Sequence, residues 1–310
     1  MYSDTIKSAE YKQQLRDFIK REYGIDAIGI YAAKRGFYGQ TWKLETETRS
    51  FFIKIVYAAA HKDVYESSFP VIDHLNRHGI DFISKFVKTL QGELSAQFDG
   101  AVLGVFDWID GENRQDEESK VREYQKLARI YTIPTDGLII PREDFSAKSA
   151  DNFFRQWAVL SSDVPLYALF EQHRENIEHR AKRLRLFSER CHGDISPLFI
   201  THGDAGGNYI AGSDADYIVD WDTPILTPPE RDAWVCMHWD WAVNAFHDAL
   251  RHNGIDYTLR PERLAYYCYH MFFFYLNAYI DRYAHTGTAP GIEEYMDGWI
   301  TEAFQYADKI

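Results

Sequence analysis

The tripeptide His-Gly-Asp occurs twice in this 310-residue chain, at 192–194 and at 202–204. Only the second leads on to further oxygen ligands. Asn208 follows four residues after Asp204, and Tyr217-Ile218-Val219 runs into Asp220-Trp221-Asp222. The first copy has neither an Asn behind it nor a second carboxylate pair, so it acts as an internal control, and Asp204 is the candidate rather than Asp194. Phosphoryl transfer gives these residue types a common reason to cluster. An Asp orients the attacking hydroxyl and accepts its proton, while an Asn and a second Asp hold Mg²⁺ against the phosphates. Mg²⁺ prefers oxygen and takes few ligands from protein, which suits the Asn208 amide oxygen and the Asp220 carboxylate. A hairpin turning at Gly212-Ser213-Asp214 would bring these two together across the positions that separate them.

Other elements must place this segment. Apolar spacing predicts an opening helix to about Tyr23, then strands between Ile28 and Val56. Thr41 to Thr46 alternates polar and bulky residues, and Ser50 to Val56 is richly apolar with Lys54 at its centre. A lysine in such a strand wants a reason to be there; the plain alternative is an edge strand whose lysine reaches solvent. Val64, Val71, Ile72 and Leu75 predict a helix over 61–78, which Pro70 bends or splits. Strands are expected at 82–90, 94–98 and 101–109, and a boundary where Gly111 opens the polar run to Lys120. Beyond it the pattern is mainly helical, near 121–131, 151–190 and from 232 onward, interrupted by two strands near 208–221. The expected class is α+β. The aromatic helix from Tyr266 to Tyr283 reads as core, and His238, His247 and His252 lack metal-like spacing.

Composition narrows the partners. A hydrophobic fraction of 45% with 16% aromatics describes an ordered globular chain. The net charge of −13 argues against nucleic acid, which needs clustered Lys and Arg. The charge is uneven: residues 1–110 carry 14 Lys+Arg and 15 Asp+Glu, leaving 20 and 32 of the totals 34 and 47, a net −12, to the remainder. A cleft in that acidic part would favour a cationic ligand. The charged, amphipathic start does not resemble an export signal, and Met271 to Ile280 is shorter than the roughly 20 apolar residues a bilayer requires. Three cysteines, Cys191, Cys236 and Cys268, are odd in number and lack the close spacing of a zinc or redox motif, which fits reduced thiols in a cytoplasmic setting.

The strings THGDAGGNYI (201–210) and YIVDWDTPILTPPERDAW (217–234) resemble the catalytic loop and metal segment of the aminoglycoside phosphotransferase family, a branch of the protein-kinase-like fold. Asp-Trp-Asp followed by Pro-Pro-Glu-Arg-Asp is most similar to the branch that includes spectinomycin phosphotransferase. The resemblance implies a bilobal fold, with a small β-rich nucleotide-binding N-lobe (1–110) and a larger, mainly helical C-lobe (111–310) for catalysis and substrate. It implies Asp204 as base and Asn208 and Asp220 as Mg²⁺ ligands, with His202 and Asp232 supporting the loop. Lys54 would contact the ATP phosphates with Glu66 as its ion-pair partner, Asp63 competing. Gly36 to Gly39 would cover the phosphates, and Phe106, Trp108 and Ile109 would form the hinge that meets adenine. Asp222 and Glu230 are candidates for receiving a cationic substrate. One departure stands out: family loops place the Asn five positions after the Asp, whereas here the step is four. Either Gly206 and Gly207 permit a tighter loop, or metal ligation differs.

The implied activity is transfer of the ATP γ-phosphate, with GTP as the alternative donor, to a hydroxyl of a cationic, aminoglycoside-like antibiotic. This would be an antibiotic-resistance kinase with Mg²⁺ as cofactor, and its oligomeric state stays open. Alternatives are a choline, homoserine or sugar kinase, or a nucleotide-binding protein without transfer activity. A glycosyltransferase reading of Asp-Trp-Asp would require an opening of alternating strands and helices, which the strand-rich start does not offer.

Overall fold

The opening helix forms because its apolar residues share one face: in α1 (Ala9–Tyr23) Leu15, Phe18, Ile19 and Tyr23 are buried. Ser8 caps it by accepting the Tyr11 N–H at 3.1 Å, and Gly24 ends it at φ 68°, a left-handed conformation that glycine adopts without a Cβ clash. The computed structural model describes residues 8–33, 39–57, 59–193, 197–204, 207–298 and 301–310. After α1 come β1 (Gly29–Ala32), β2 (Gln40–Glu45), β3 (Ser50–Val56), α2 (Ala59–Arg77), β4 (Ala96–Phe98), β5 (Ala101–Asp107), β6 (Gly111–Asn113) and α3 (Glu117–Ile130). The chain continues through α4 (Lys148–Val159), α5 (Pro165–Gln172), α6 (Arg174–Cys191), β7 (Phe199–Thr201), β8 (Tyr209–Gly212), β9 (Asp216–Ile218) and β10 (Ile225–Thr227). It ends with α7 (Glu230–Ala233), α8 (Asp240–His252), α9 (Pro261–Thr286), α10 (Ile292–Asp297) and α11 (Thr301–Ala307).

These elements fall into two compact units. One draws on the chain up to Pro141 and on His202–Ile225; the other on Arg142–Thr201 and Leu226–Ile310. The first is built on an antiparallel sheet in the order β1-β2-β3-β5-β4. Alternation puts Trp42, Leu44, Phe51, Ile53, Leu103 and Val105 into one core with the apolar face of α1. Each fully buried Leu or Ile there contributes about 2 kcal/mol. A second sheet, β6-β8-β9, pairs Gly111–Asn113 with Gly212–Ile210, so the strand β6 lies where the sequence had suggested only a polar boundary. The turn between β8 and β9 falls where expected, closed by the Gly212 N–H donating to Ala215 O at 3.0 Å.

Two expected elements differ. Residues 82–90 make only isolated bridges, Ile83 to Ile218 and Phe86 to Phe106, because their backbone bonds are shared between separate partners. The helix expected over 151–190 is three, α4, α5 and α6; the chain breaks at Ser161–Val164 and Pro165 restarts it at a first-turn position, where its missing N–H costs nothing. Pro70, by contrast, lies inside an uninterrupted α2.

The second unit is organised around α9, whose Tyr266, Tyr267, Tyr269, Phe272 and Phe273 are all buried. Phe153 meets Phe170 at 5.1 Å and Phe273 at 5.6 Å between ring centroids. This is α+β, with an antiparallel sheet in the N-terminal part and helices dominating the C-terminal part. Among the described residues no helix is long and apolar enough to cross a membrane.

Candidate active site

Lys54, His202, Asp204, Asn208, Asp220 and Asp222 all belong to the first unit. Lys54 lies in the middle of β3, opposite Thr41 on β2 and Gly104 on β5, so it is a central-strand residue and not an edge lysine. Its side chain is only 7% exposed. The ammonium donates to Asp220 Oδ1 at 2.6 Å and also to Asp222 Oδ2. Burial works to lower the Lys54 pKa, but the two carboxylates outweigh it and hold the amine charged. Burial also works against the Asp220 anion, yet the Lys54 charge and hydrogen bond keep this carboxyl below its usual range. Asp222 goes the other way: burial and the neighbouring Asp220 charge push it up, to about 7, despite Lys54.

The loop from His202 is fixed by its own backbone contacts. His202 is 1% exposed, and its Nε2 lies 2.8 Å from Val219 O. A carbonyl only accepts, so Nε2 carries the proton and Nδ1 is left to accept the Asp204 N–H at 3.1 Å. The same ring stands edge-on against Trp221, 4.6 Å between centroids, and Trp221 Nε1 donates to Ile218 O. Gly203 sits at φ 87°, where a side chain would be strained. The Val219 N–H donates to Asn208 O at 2.9 Å, tying the loop to the segment that carries Asp220. Asp220 itself is at φ 65°, a conformation that Asp tolerates better than most residues and that recurs at functional sites.

Asn208 folds back on Asp204: its Nδ2 donates to Asp204 O at 2.8 Å and to Asp204 Oδ2 at 3.1 Å. With the amide nitrogen so engaged, the amide oxygen receives no hydrogen bond among the described residues. That oxygen and the Asp220 carboxylate, 43% exposed as a side chain, belong to residues lining one cavity and are the oxygen donors that would hold a hard divalent cation.

Lys54, Asn208, Asp220 and Asp222 line a cavity of about 380 Å³. Its lining also includes Phe52, Phe106, Trp108, Ile109 and Ile210, apolar surface fit for a flat base, beside the bonded charges of Lys54, Asp220 and Asp222. Phe106, Trp108 and Ile109 are thus in the cavity with Lys54. Asp204 is exposed beside it, in contact with Asn208.

Several expected placements are corrected. Glu66 does not pair with Lys54; it is exposed on α2 and accepts from Ser95 Oγ at 3.0 Å. A helix turns about 100° per residue, so the face that meets the lysine presents Tyr65, and Glu66 points away. Asp222 is not a free receiver of substrate, since Lys54 occupies it. Glu230 is 0% exposed in the second unit, where it accepts from Tyr257 Oη at 2.8 Å and from the Arg260 N–H at 2.7 Å. Burial raises its pKa. Its carboxylate is a structural acceptor, closed to any ligand. Gly39 is a close-approach position, because a Cβ there would lie 2.8 Å from Ile55 O; Gly36 lies outside the described residues. Asp232 is buried in α7 at 6% exposure. Of the control tripeptide, His192 sits at the end of α6 with Nδ1 3.1 Å from Asp144 O, and Asp194 lies outside the described residues.

Two cavity residues carried no signal in the sequence. Tyr65 is 3% exposed with its ring 5.5 Å from Lys54 Nζ, and Asn113, on β6, donates to Gly207 O. Both depend on pairings that only the folded chain makes.

No curated protein matches the chain in sequence. Its fold is shared with spectinomycin phosphotransferase APH(9)-Ia solved with ADP and spectinomycin, at 21% identity over 96% of this chain and 98% of that one, TM-score 0.75. A macrolide 2'-phosphotransferase type I superposes at TM-score 0.61 and 12% identity, over 96% and 98% of the two chains. A choline kinase from Streptococcus pneumoniae superposes at TM-score 0.65 and 14% identity, over 97% and 100%. The model of the APH phosphotransferase enzyme family matches residues 30–267. The chain therefore belongs to the APH phosphotransferase enzyme family, and it is a small-molecule phosphotransferase.

Proposed function

We propose that this enzyme moves the γ-phosphate of ATP to a hydroxyl of a cationic, aminoglycoside-like antibiotic, with Mg²⁺ as cofactor. The observation that carries the reading is the convergence of Lys54, Asn208 and Asp220, with Asp204 bonded to Asn208, on one cavity that is also lined by apolar and aromatic side chains. In this assignment residues 1–110 bind nucleotide and 111–310 supply the catalytic loop and the substrate site. Adenine lies against Phe106, Trp108 and Ile109, and Lys54 meets the phosphates.

Asp204 orients the substrate hydroxyl and takes its proton. As the hydroxyl oxygen bonds to the γ-phosphorus, the bond to the bridging oxygen breaks and ADP leaves. Asn208 and Asp220 would hold Mg²⁺, whose charge would offset that of the phosphates. Asp204 accepts a hydrogen bond from Asn208 and the His202 ring fixes its backbone, so its contribution is orientation first and proton acceptance late in the step. Asp232 is assigned to support of the loop. A cationic substrate agrees with the net −12 of residues 111–310 derived above.

A coupled ADP-release screen over aminoglycosides, spectinomycin, macrolides, choline, homoserine and sugars tests the substrate class. Substrate-dependent release with an aminocyclitol or aminoglycoside supports the reading. Release with choline or homoserine alone replaces the antibiotic by a metabolite, and ATP binding without release to any hydroxyl compound removes transfer altogether.

A further inference from the structure

We propose that Asp222, and no carboxylate of α2, is the residue that positions Lys54; this rests on the reading of Lys54 as the phosphate-contacting lysine. The ammonium is bonded to Asp220 and Asp222, both on one short segment. The three acidic residues of α2 are turned elsewhere: Asp63 is exposed, Glu66 is held by Ser95, and Asp73 pairs with Arg77 at 3.0 Å and Lys88 at 3.1 Å. The approach from α2 is filled by Tyr65, whose ring lies 5.5 Å from Lys54 Nζ and whose hydroxyl donates to Lys54 O at 3.4 Å.

Gly104 shows that this filling is built into the sheet. It stands opposite Lys54 on β5, and a Cβ there would come within 2.9 Å of the Tyr65 hydroxyl. The strand facing the lysine is thus bare where the tyrosine enters. An aromatic face attracts the ammonium but offers no directed acceptor, so orientation of Lys54 falls to carboxylates. Asp220 is assigned to the cation, which leaves Asp222 as the lysine's own partner. The lysine and the metal segment are thereby registered to each other directly, and α2 serves as packing instead of as a carboxylate-bearing switch.

The test uses the full chain, first without nucleotide. Lys54 acetylation by sulfo-N-hydroxysuccinimide acetate is followed by peptide mass spectrometry. Asp222→Asn is expected to raise the Lys54 labelling rate about tenfold, because an amine that has lost a buried partner is freed. Glu66→Gln and Asp63→Asn stay within about twofold of wild type. In turnover, Asp222→Asn raises KM for ATP more than it lowers kcat, and Asp222→Glu recovers most of the loss. Unchanged labelling in Asp222→Asn, or faster labelling in Glu66→Gln, overturns the proposal. Glu66→Gln alters an exposed side chain, so it decides the matter even where Asp222→Asn fails to fold. Protection of Lys54 by ATP in the wild-type chain supports the nucleotide reading on which the proposal rests, and its absence overturns that reading separately.

Discussion

His202 bridges the two halves of the site: its Nδ1 accepts the Asp204 N–H at 3.1 Å while its Nε2 donates to Val219 O at 2.8 Å. One imidazole therefore sets both the catalytic loop and the strand end before Asp220. His202→Ala removes two hydrogen bonds and the contact with Trp221. Stability of the chain is expected to fall by about 2 kcal/mol in urea denaturation, and kcat to fall more than KM for ATP rises. An unchanged kcat in the folded variant would deny the ring its role in placing Asp204.

Asp204 is exposed and bonded to Asn208, so its removal should leave the cavity wall intact. Asp204→Ala is expected to lower phosphate transfer at least ~10²-fold. Nucleotide affinity, read by calorimetry with a non-hydrolysable ATP analogue, stays near wild type. Near-wild-type turnover would remove Asp204 from the reaction.

Glu230 separates a structural carboxylate from a substrate-binding one. Truncation in Glu230→Ala leaves the part-buried Tyr257 hydroxyl and Arg260 N–H without their acceptor. A loss of about 2–4 kcal/mol in stability follows, with KM for substrate unchanged in whatever fraction folds. A raised KM with normal stability would return Glu230 to the substrate site.

What the sequence made legible was local. The His-Gly-Asp loop, the Asn four residues later and the Asp-Trp-Asp segment are contiguous strings, and the turn at Gly212 announces the hairpin between them. Lys54 was legible because a charge in the apolar run Ser50–Val56 conflicts with its surroundings. Residues placed by rotation or by distant pairing were not. Tyr65 and Glu66 differ by one helical step, and no spacing rule says which of them faces β3. Glu230 sits in the same charged string as Asp232, yet its fate depends on Tyr257 and Arg260, 27 and 30 positions later. Likewise β6 becomes a strand only because β8, almost a hundred residues on, supplies its partner.

The acidity of the chain beyond residue 110 gives a kinetic signature for a cationic substrate. Long-range attraction is screened as the Debye length shrinks from about 30 Å at 0.01 M salt to about 3 Å at 1 M. kcat/KM for such a substrate is therefore expected to fall several-fold across that range while kcat changes little. A flat profile would count against an acidic cleft as the receiving surface.

His270 supplies a pH dependence of stability with a definite sign. It lies on α9, with Nδ1 3.3 Å from both Ser149 Oγ and Tyr266 Oη. Burial lowers its pKa; of the charged groups that act on it, Glu143 and Asp144 oppose that shift and Arg231 adds to it. The unfolded chain takes up a proton on this ring near pH 6.5, whereas the folded chain resists doing so. Between the folded pKa and 6.5 the unfolded state binds more protons, so stability rises with pH through that window and levels off above it. The midpoint of urea denaturation is expected to fall as the pH is lowered from 8 to about 5.5. His270→Gln cannot take up that proton, so the difference between wild type and variant should shrink on the acid side. A difference that stays constant with pH would mean that His270 titrates alike in both states.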